Sequence, residues 1–291
     1  MKRGFKVIGR SFYKAGYWTV QHDGIEHAGY LAFLGLLSVF PFLVFFVAIA
    51  GVIGEAQVGM EFVNFVTAHL PEHIISALKP RLNEIVEGPP QGLLTIAIIG
   101  VIWTASSAVE GTRTVLNRAY RVETPPAYIW RRLLSIAQFL ALTALMILAS
   151  FLLILAPVIW AKIEPVLGVE HALDPFWKYI SYAISGGTIF LGVAISYYIL
   201  PNIHQNLLRV VPGAVIVLIG WIGASALLSI YLKNFQQVNL VYGSLGGIIG
   251  ALLFFYVLGV IYIFGAEFNY ALERAIGYTF VEKETRKKKK K

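Results

Sequence analysis

Residues 234–266 read NFQQVNLVYGSLGGIIGALLFFYVLGVIYIFGA and contain no Asp, Glu, Lys or Arg. A membrane-spanning helix needs about 20 consecutive, mainly apolar residues, and this stretch provides them. Because lipid offers the backbone no hydrogen-bond partners, a crossing segment must be a helix or part of a closed barrel. The chain does not show the ten-residue alternation of apolar and polar residues that is typical of barrel strands. The stretch therefore predicts a transmembrane helix.

Five further stretches without Asp, Glu, Lys or Arg precede it: residues 28–54, 88–109, 133–161, 179–208 and 210–232. The composition agrees, since 57% of the residues are hydrophobic and only 14% are charged. Soluble domains carry roughly 25% charged residues, which they need to cover their surface. We therefore predict an all-α polytopic membrane protein with six transmembrane helices.

Lysine and arginine are distributed unevenly between the two sides of these stretches. If the N-terminus is cytoplasmic, 19 of the 24 Lys and Arg residues lie in cytoplasmic segments and five lie in outer segments. Positive residues accumulate in the cytoplasmic loops of membrane proteins. We therefore predict that both termini are in the cytoplasm.

The sequence divides into a basic N-terminal segment (1–27), a membrane domain (28–272) and a lysine-rich tail (273–291). The first segment alternates basic and apolar residues at helical spacing, which predicts an interfacial helix on the inner leaflet. Residues 55–87 carry a similar amphipathic pattern and predict an outer helical cap. The tail ends in five lysines, Lys287–Lys291, and we expect it to contact anionic lipid headgroups. No RNA-binding module accompanies the lysines, so we predict no nucleic-acid partner.

The sequence offers one candidate metal motif. Residues 69–73, HLPEH, match the inverted zinc-peptidase pattern H-x-x-E-H. Zinc binding by this motif needs both histidines on one turn of a continuous helix, and Pro71 interrupts that turn. The chain also lacks cysteine, a G-x-S-x-G elbow and a Walker A loop. We therefore predict a protein that is not an enzyme and holds no metal or cofactor.

Polar residues near the predicted cytoplasmic ends of the helices form the candidate substrate or ion site: Glu26, Glu110, Arg113, Asn117, Arg118, Glu267 and Asn269. Glu267 lies deepest, about 10 Å of helix before Arg274. An acid at that depth is costly unless it faces the protein interior, water or a cation. We expect Glu267 to pair with an arginine such as Arg113 or Arg118. The set is either a polar vestibule for a charged headgroup or protons, or a group of ion pairs that holds the helices together.

Prolines and glycines indicate kinks and contact faces. Pro41 interrupts the first predicted span, Pro201 ends the fourth, and Pro212 with Gly213 starts the fifth. Glycines of the sixth span follow the GxxxG spacing of packed membrane helices: Gly243, Gly246, Gly247 and Gly250.

Several short motifs occur in a characteristic order: AFLGLLSVFP at 32–41, VLNRAY at 115–120, LPN at 200–202 with VPGA at 211–214, YGSLG at 242–246 and GAEFN at 265–269. With these motifs the chain resembles the YihY/BrkB family of bacterial inner-membrane proteins. The resemblance implies a six-helix protein of the cytoplasmic membrane, in a group linked by name to virulence and suspected of envelope-lipid export. Some members carry a ribonuclease label, but this sequence shows neither paired carboxylates in a metal-binding context nor a histidine pair placed for acid–base chemistry.

Two functions remain open from the sequence. The leading prediction is a transporter or flippase-like exporter of a lipid or amphipathic anion, based on the polar cluster and the interrupted first helix. The alternative is a non-transporting scaffold or envelope-organising protein that docks partners on its basic cytoplasmic surface. The bilayer and its anionic headgroups are predicted partners, and a homo-oligomer or an envelope protein remains open as a further one.

Overall fold

A computed structural model describes residues 2–53, 91–123, 127–167, 174–233 and 245–283. These residues form seven helices and two short strands: α1 (Lys2–Gln21), α2 (Gly24–Ile53), α3 (Gln91–Ala119), α4 (Tyr128–Leu167), α5 (Asp174–Ile199), β1 (Ile203–His204), α6 (Leu207–Lys233), α7 (Leu245–Ala275) and β2 (Val281–Glu282). The predicted outer cap, the motif at 69–73, Gly243 and the terminal lysines lie outside the described residues.

The helices confirm an all-α polytopic membrane protein. Within the described residues, four helices contain segments long and apolar enough to cross a membrane: Tyr128–Ala149, Tyr179–Ile199, Leu207–Ile230 and Gly247–Ala275. The helices α2 and α3 lie where the first two spans were predicted, and α2 holds a shorter apolar stretch, Gly24–Val39. Large apolar side chains such as Ile219, Leu227 and Leu253 are exposed on these helices, as expected of a surface that faces lipid.

The last helix, α7, is the centre of the bundle. It packs against α1, α2 and α6 and also touches α3. Small residues bring it close to α6: a Cβ placed on Gly220 would lie 2.6 Å from Ile261 Cγ2, and one on Gly265 would lie 2.6 Å from Val217 Cγ2. These close approaches fix α6 against α7 and so position the polar residues at the end of α7.

The predicted helix-interrupting residues are placed as follows. Pro41 lies inside α2, which continues through it, and Pro201 is buried in the turn after α5. Pro212 does not start its helix as predicted, because α6 begins earlier, at Leu207. Asn206 caps this earlier start, since its Oδ1 accepts from Leu208 N at 3.4 Å and its carbonyl accepts from Arg209 N at 3.0 Å.

Of the predicted glycine face, Gly246, Gly247 and Gly250 lie in the first turns of α7. Gly250 is buried beside Ala224 of α6. Both residues line an apolar groove of about 170 Å³ between the two helices.

The two strands join distant parts of the chain. They pair antiparallel, with Ile203 opposite Glu282 and His204 opposite Val281. Lys283 N also donates to Asn202 O at 3.1 Å, and Tyr278 Oη donates to His204 O at 3.1 Å. The segment after α7 is therefore bound to the connection between α5 and α6.

Candidate functional site

Most of the charged side chains with described partners lie at one end of the bundle, which we call the arginine end. It comprises residues 18–27, 110–123, 131–135, 200–209 and 267–283. One ion pair of this end joins α7 to the segment after α3, and its carboxylate is almost completely buried. Arg121 Nη1 donates to Glu267 Oε1 at 2.9 Å, and Arg121 Nη2 donates to Glu267 Oε2 at 2.8 Å. The Glu267 side chain is 2% exposed and that of Arg121 is 26% exposed. Glu267 therefore pairs with an arginine as expected, but the arginine is Arg121 and not Arg113 or Arg118, which we named as examples.

The reason is the way α3 ends. The helix stops at Ala119, and Arg121 adopts a positive φ of 60°. Val122 N donates to Asn117 O at 2.8 Å, and Arg121 N donates to Arg118 O at 3.1 Å, which together form a Schellman motif. Glycine usually occupies this left-handed position, because an L side chain costs roughly 1 kcal/mol or more there. Arg121 is thereby turned back toward Glu267.

Aromatic rings and a histidine surround the Arg121 guanidinium. It lies 4.8 Å from the ring centre of Tyr270 and 5.6 Å from that of Trp18, within range of a cation–π attraction. Its Nη2 is 2.9 Å from His22 Nδ1. Burial and the neighbouring Arg121 charge lower the pKa of His22 below 6.5. The arginine charge thus favours the neutral form of the His22 ring, whose Nδ1 also lies 3.0 Å from Trp18 O.

Two other arginines of the arginine end each pair with one carboxylate. Arg118 pairs with Asp23, and both side chains are largely exposed. Arg209 Nη1 lies 2.9 Å from Glu273 Oε2, and its guanidinium lies 3.5 Å from the ring centre of Tyr278. Glu26, in contrast, is exposed on the first turn of α2. The structure does not bring Glu26 together with the other candidate residues.

Asn117 and Asn269 are both buried, and both bind backbone groups. Asn117 Oδ1 accepts from Asn202 N at 2.9 Å. Asn269 Oδ1 accepts from Gly213 N at 2.7 Å, and its Nδ2 donates to Val210 O at 3.1 Å. Asn117 thereby joins α3 to the turn after α5, and Asn269 joins α7 to α6, so both contacts have a structural role.

A second polar cluster lies between α3 and α4, and we call it the three-arginine cluster: Glu110, Arg113, Arg131, Arg132 and Ser135. Glu110 Oε2 lies 3.4 Å from Arg113 Nε, and Glu110 Oε1 lies 3.4 Å from Arg131 Nε. Ser135 Oγ donates to Glu110 Oε2 at 2.8 Å. Arg113, almost fully buried, also donates from Nη1 to Leu200 O at 3.0 Å.

Arg132 reaches a different part of α3. Its Nη1 donates to Ser107 Oγ at 3.2 Å, its Nη2 donates to Trp103 O, and its guanidinium lies 4.0 Å from the Trp103 ring centre. The residue is only 8% exposed, yet its Nε has no hydrogen-bond partner among the described residues. Arg131 Nε is buried too, and it faces Glu110 Oε1 at 3.4 Å.

Gln138 follows Ser135 by about one helical turn along α4, toward the bilayer interior. It is 3% exposed, and neither its amide oxygen nor its amide nitrogen has a partner among the described residues. Sequence reasoning missed Gln138, Arg131, Arg132, Ser135, His22 and the role of Arg121. The spacing of Arg131, Ser135 and Gln138 at i, i+4 and i+7 places them on one face of a helix and is the signal that could have found the second cluster.

Charged and polar side chains thus meet inside a bundle of apolar helices, which defines a multi-pass membrane protein with a charged interior. The chain belongs to the Virulence factor BrkB family, whose sequence model matches residues 18–290. It is 30% identical, over 253 residues, to a protein of Bacillus subtilis (strain 168) named ribonuclease-like protein YfkH. That match covers 87% of this chain and 91% of the relative.

A second relative is a UPF0761 membrane protein of Alteromonas mediterranea. The two sequences are 24% identical over 254 residues, which covers 85% of this chain and 82% of the relative. No solved structure matches the chain.

Proposed function

We propose that the protein moves a lipid or another amphipathic anion across the cytoplasmic membrane. The observation that carries the proposal is the polar face of α4 enclosed against α3. Arg113 and Gln138 are buried there, and the segment Tyr128–Ala149 of α4 is apolar enough to span the membrane. Ionisable groups inside membrane helices are costly and commonly mark the path of a substrate or ion.

Gln138 extends the polar face of α4 further into the membrane segment. It lies deeper in the membrane segment than Ser135, and its buried amide is unpaired among the described residues. An unsatisfied buried amide costs about 1–3 kcal/mol. A polar headgroup passing along α4 would supply the missing hydrogen bonds, which supports transport over a merely structural role.

The proposal excludes catalysis as the main activity. At the arginine end, Glu110, Glu267 and Glu273 each lie within ion-pair distance of an arginine, which gives each carboxylate a structural partner. The word ribonuclease belongs to the name of the Bacillus relative. We propose that the present chain acts on an amphiphile without breaking a covalent bond.

The experiment is a lipid-movement assay on the purified chain in liposomes, with fluorescent phospholipid and an impermeant quencher. Gln138→Leu should fold normally, because it removes an unsatisfied amide, but it should slow lipid movement at least about tenfold. Thr143→Val is the matched control on the same helix, since Thr143 is buried but already donates to Phe139 O at 2.9 Å. It should move lipid at the wild-type rate.

Two results of this assay would contradict the proposal. If the wild-type chain moves no lipid with or without a proton or ion gradient, the transport proposal is wrong. A non-transporting scaffold that docks partners on the arginine end would then be the better explanation. If Gln138→Leu and Thr143→Val both move lipid at the wild-type rate, the path does not run along α4.

A further inference from the structure

We infer that the three-arginine cluster is the binding site for a phosphomonoester headgroup of an anionic lipid. The inference rests on the proposed transport function and names the chemistry of its substrate. It begins from the charges of the arginine end. Arg118, Arg121 and Arg209 each have a carboxylate of their own: Asp23, Glu267 and Glu273.

The three-arginine cluster breaks this one-to-one pattern. Glu110 is shared, with one oxygen toward Arg113 and the other toward Arg131. Arg132 forms no ion pair with a described carboxylate, and its described contacts are a hydroxyl, a carbonyl and the Trp103 ring. The cluster therefore holds two positive charges in excess of its negative charge. Buried charge without a counter-charge is strongly destabilising, so an anion in the cluster would stabilise it.

An unused donor indicates where this anion binds. Arg132 Nε is buried and has no hydrogen-bond partner among the described residues. Arg131 Nε, in the preceding residue, faces only the Glu110 carboxylate at 3.4 Å, and Arg113 shares that carboxylate. Arg131 and Arg132 both lie in the first two turns of α4, which begins at Tyr128. The start of a helix favours negative charge, because its first N–H groups and the helix dipole point toward the ligand. Two arginines and a helix start are a common combination for binding phosphate oxygens.

The surroundings favour a lipid over a soluble anion. Arg131 is partly exposed, which leaves the cluster open on one side. The neighbouring side chains Ile129, Trp130 and Leu133 are apolar and exposed on the same helix. Tryptophan at this position is typical of the interface between headgroups and acyl chains. A phosphate bound by Arg131 and Arg132 would thus have its acyl chains beside an apolar surface.

The two excess positive charges of the cluster determine which lipid headgroups we expect it to bind most tightly. A phosphomonoester carries a charge of about −1.5 to −2 at pH 7, with its second pKa near 6. A phosphodiester carries a single negative charge, and phosphatidylcholine is zwitterionic. We therefore expect phosphatidic acid to bind more tightly than phosphatidylglycerol, and phosphatidylcholine to bind weakly. Binding of phosphatidic acid should tighten as the pH rises from about 5 to about 7.5, as the second proton leaves.

The test measures lipid binding to the full chain in a neutral detergent. The probes are phosphatidic acid, phosphatidylglycerol, phosphatidylcholine and inorganic phosphate. The double substitution Arg131→Gln with Arg132→Gln should weaken the affinity for phosphatidic acid at least tenfold. Arg118→Gln is the matched control, because it removes an arginine of the same end that has its own carboxylate. The control should bind as the wild type does.

Two results would overturn the inference. In the first, the double variant binds phosphatidic acid as tightly as the wild type does. In the second, the wild type binds phosphatidylcholine as tightly as it binds phosphatidic acid. Inorganic phosphate that competes at the same concentration as phosphatidic acid would show a soluble-anion site and would also contradict it. If the double variant does not fold, Arg131→Gln alone replaces it in the test, because the Arg131 side chain is partly exposed. This single variant should still bind phosphatidic acid at least threefold more weakly than the wild type does.

The outcome is separable from the transport proposal. If phosphatidic acid binds through Arg131 and Arg132 but the protein moves no lipid, the binding site is supported and transport is refuted. Lipid movement that is unaffected by the double substitution supports transport and refutes the site.

Discussion

The ion pair between Arg121 and Glu267 should be the strongest single interaction of the arginine end. The test is a double-mutant cycle with Arg121→Gln, Glu267→Gln and both together. Glu267 is almost completely buried, and both of its oxygens accept from Arg121. Removing one partner of a buried pair leaves an unpaired charge and typically costs about 3–5 kcal/mol.

The two single substitutions should not cost the same. Glu267→Gln leaves Arg121 partly exposed and in contact with Tyr270 and Trp18, so its charge stays partly compensated. We expect a loss near 3 kcal/mol, the lower end of the range. Arg121→Gln leaves the buried carboxylate without its cation and should cost about 4–5 kcal/mol. The double variant should lose less than the sum, with a coupling energy of about 2 kcal/mol or more, because no unpaired charge remains.

Equilibrium unfolding of the purified protein in mixed micelles, followed by helix content, measures these free energies. Arg118→Gln with Asp23→Asn is the control cycle, since that pair is exposed and should couple by less than about 1 kcal/mol. If Arg121 and Glu267 couple no more strongly than Arg118 and Asp23, the assignment of a buried, stabilising pair is refuted.

Two further predictions concern the same end of the molecule. Gly213→Ala should lower the unfolding free energy by about 1–3 kcal/mol, because its Cβ would lie 2.6 Å from Asn269 Cγ. Gly223→Ala, on the same helix but with open space around it, should be neutral or stabilising by up to about 1 kcal/mol. If unfolding measurements show that both variants lose the same free energy of unfolding, the close contact at Gly213 is contradicted. The lowered pKa of His22 means that its contribution to stability is present above pH 6.5 and is lost as the pH falls below that value. His22→Asn should therefore flatten the dependence of the melting temperature on pH between about 7 and 5, and an unchanged slope would exclude His22 as its cause.

Much of the fold could be predicted from the sequence. The stretches without charged residues locate α2 to α7, because apolar length alone determines which segments can cross lipid. The depth of Glu267 predicted a carboxylate that faces the protein interior, and the structure buries it against an arginine. The identity of that arginine could not be predicted, because a helix continued from Arg118 would present Arg121 in another direction.

The remaining features depend on contacts between distant residues. The pairing of Ile203 with Glu282 joins two-residue strands that have no periodicity to detect. The start of α6 at Leu207 depends on the capping residue Asn206, which was overlooked in favour of Pro212. The three-arginine cluster was partly visible in the spacing of Arg131 and Ser135, but its excess charge requires knowledge of which carboxylates lie near each arginine.

The central claim is that an amphiphile crosses the membrane along the polar face of α4, and lipid movement in liposomes tests it most directly. Wild-type protein and Thr143→Val should accelerate the movement of a fluorescent phospholipid between leaflets. Gln138→Leu, reconstituted in equal amount, should be slower by at least about tenfold. Equal rates for all three proteins, or no acceleration by the wild type under any gradient, would contradict the account.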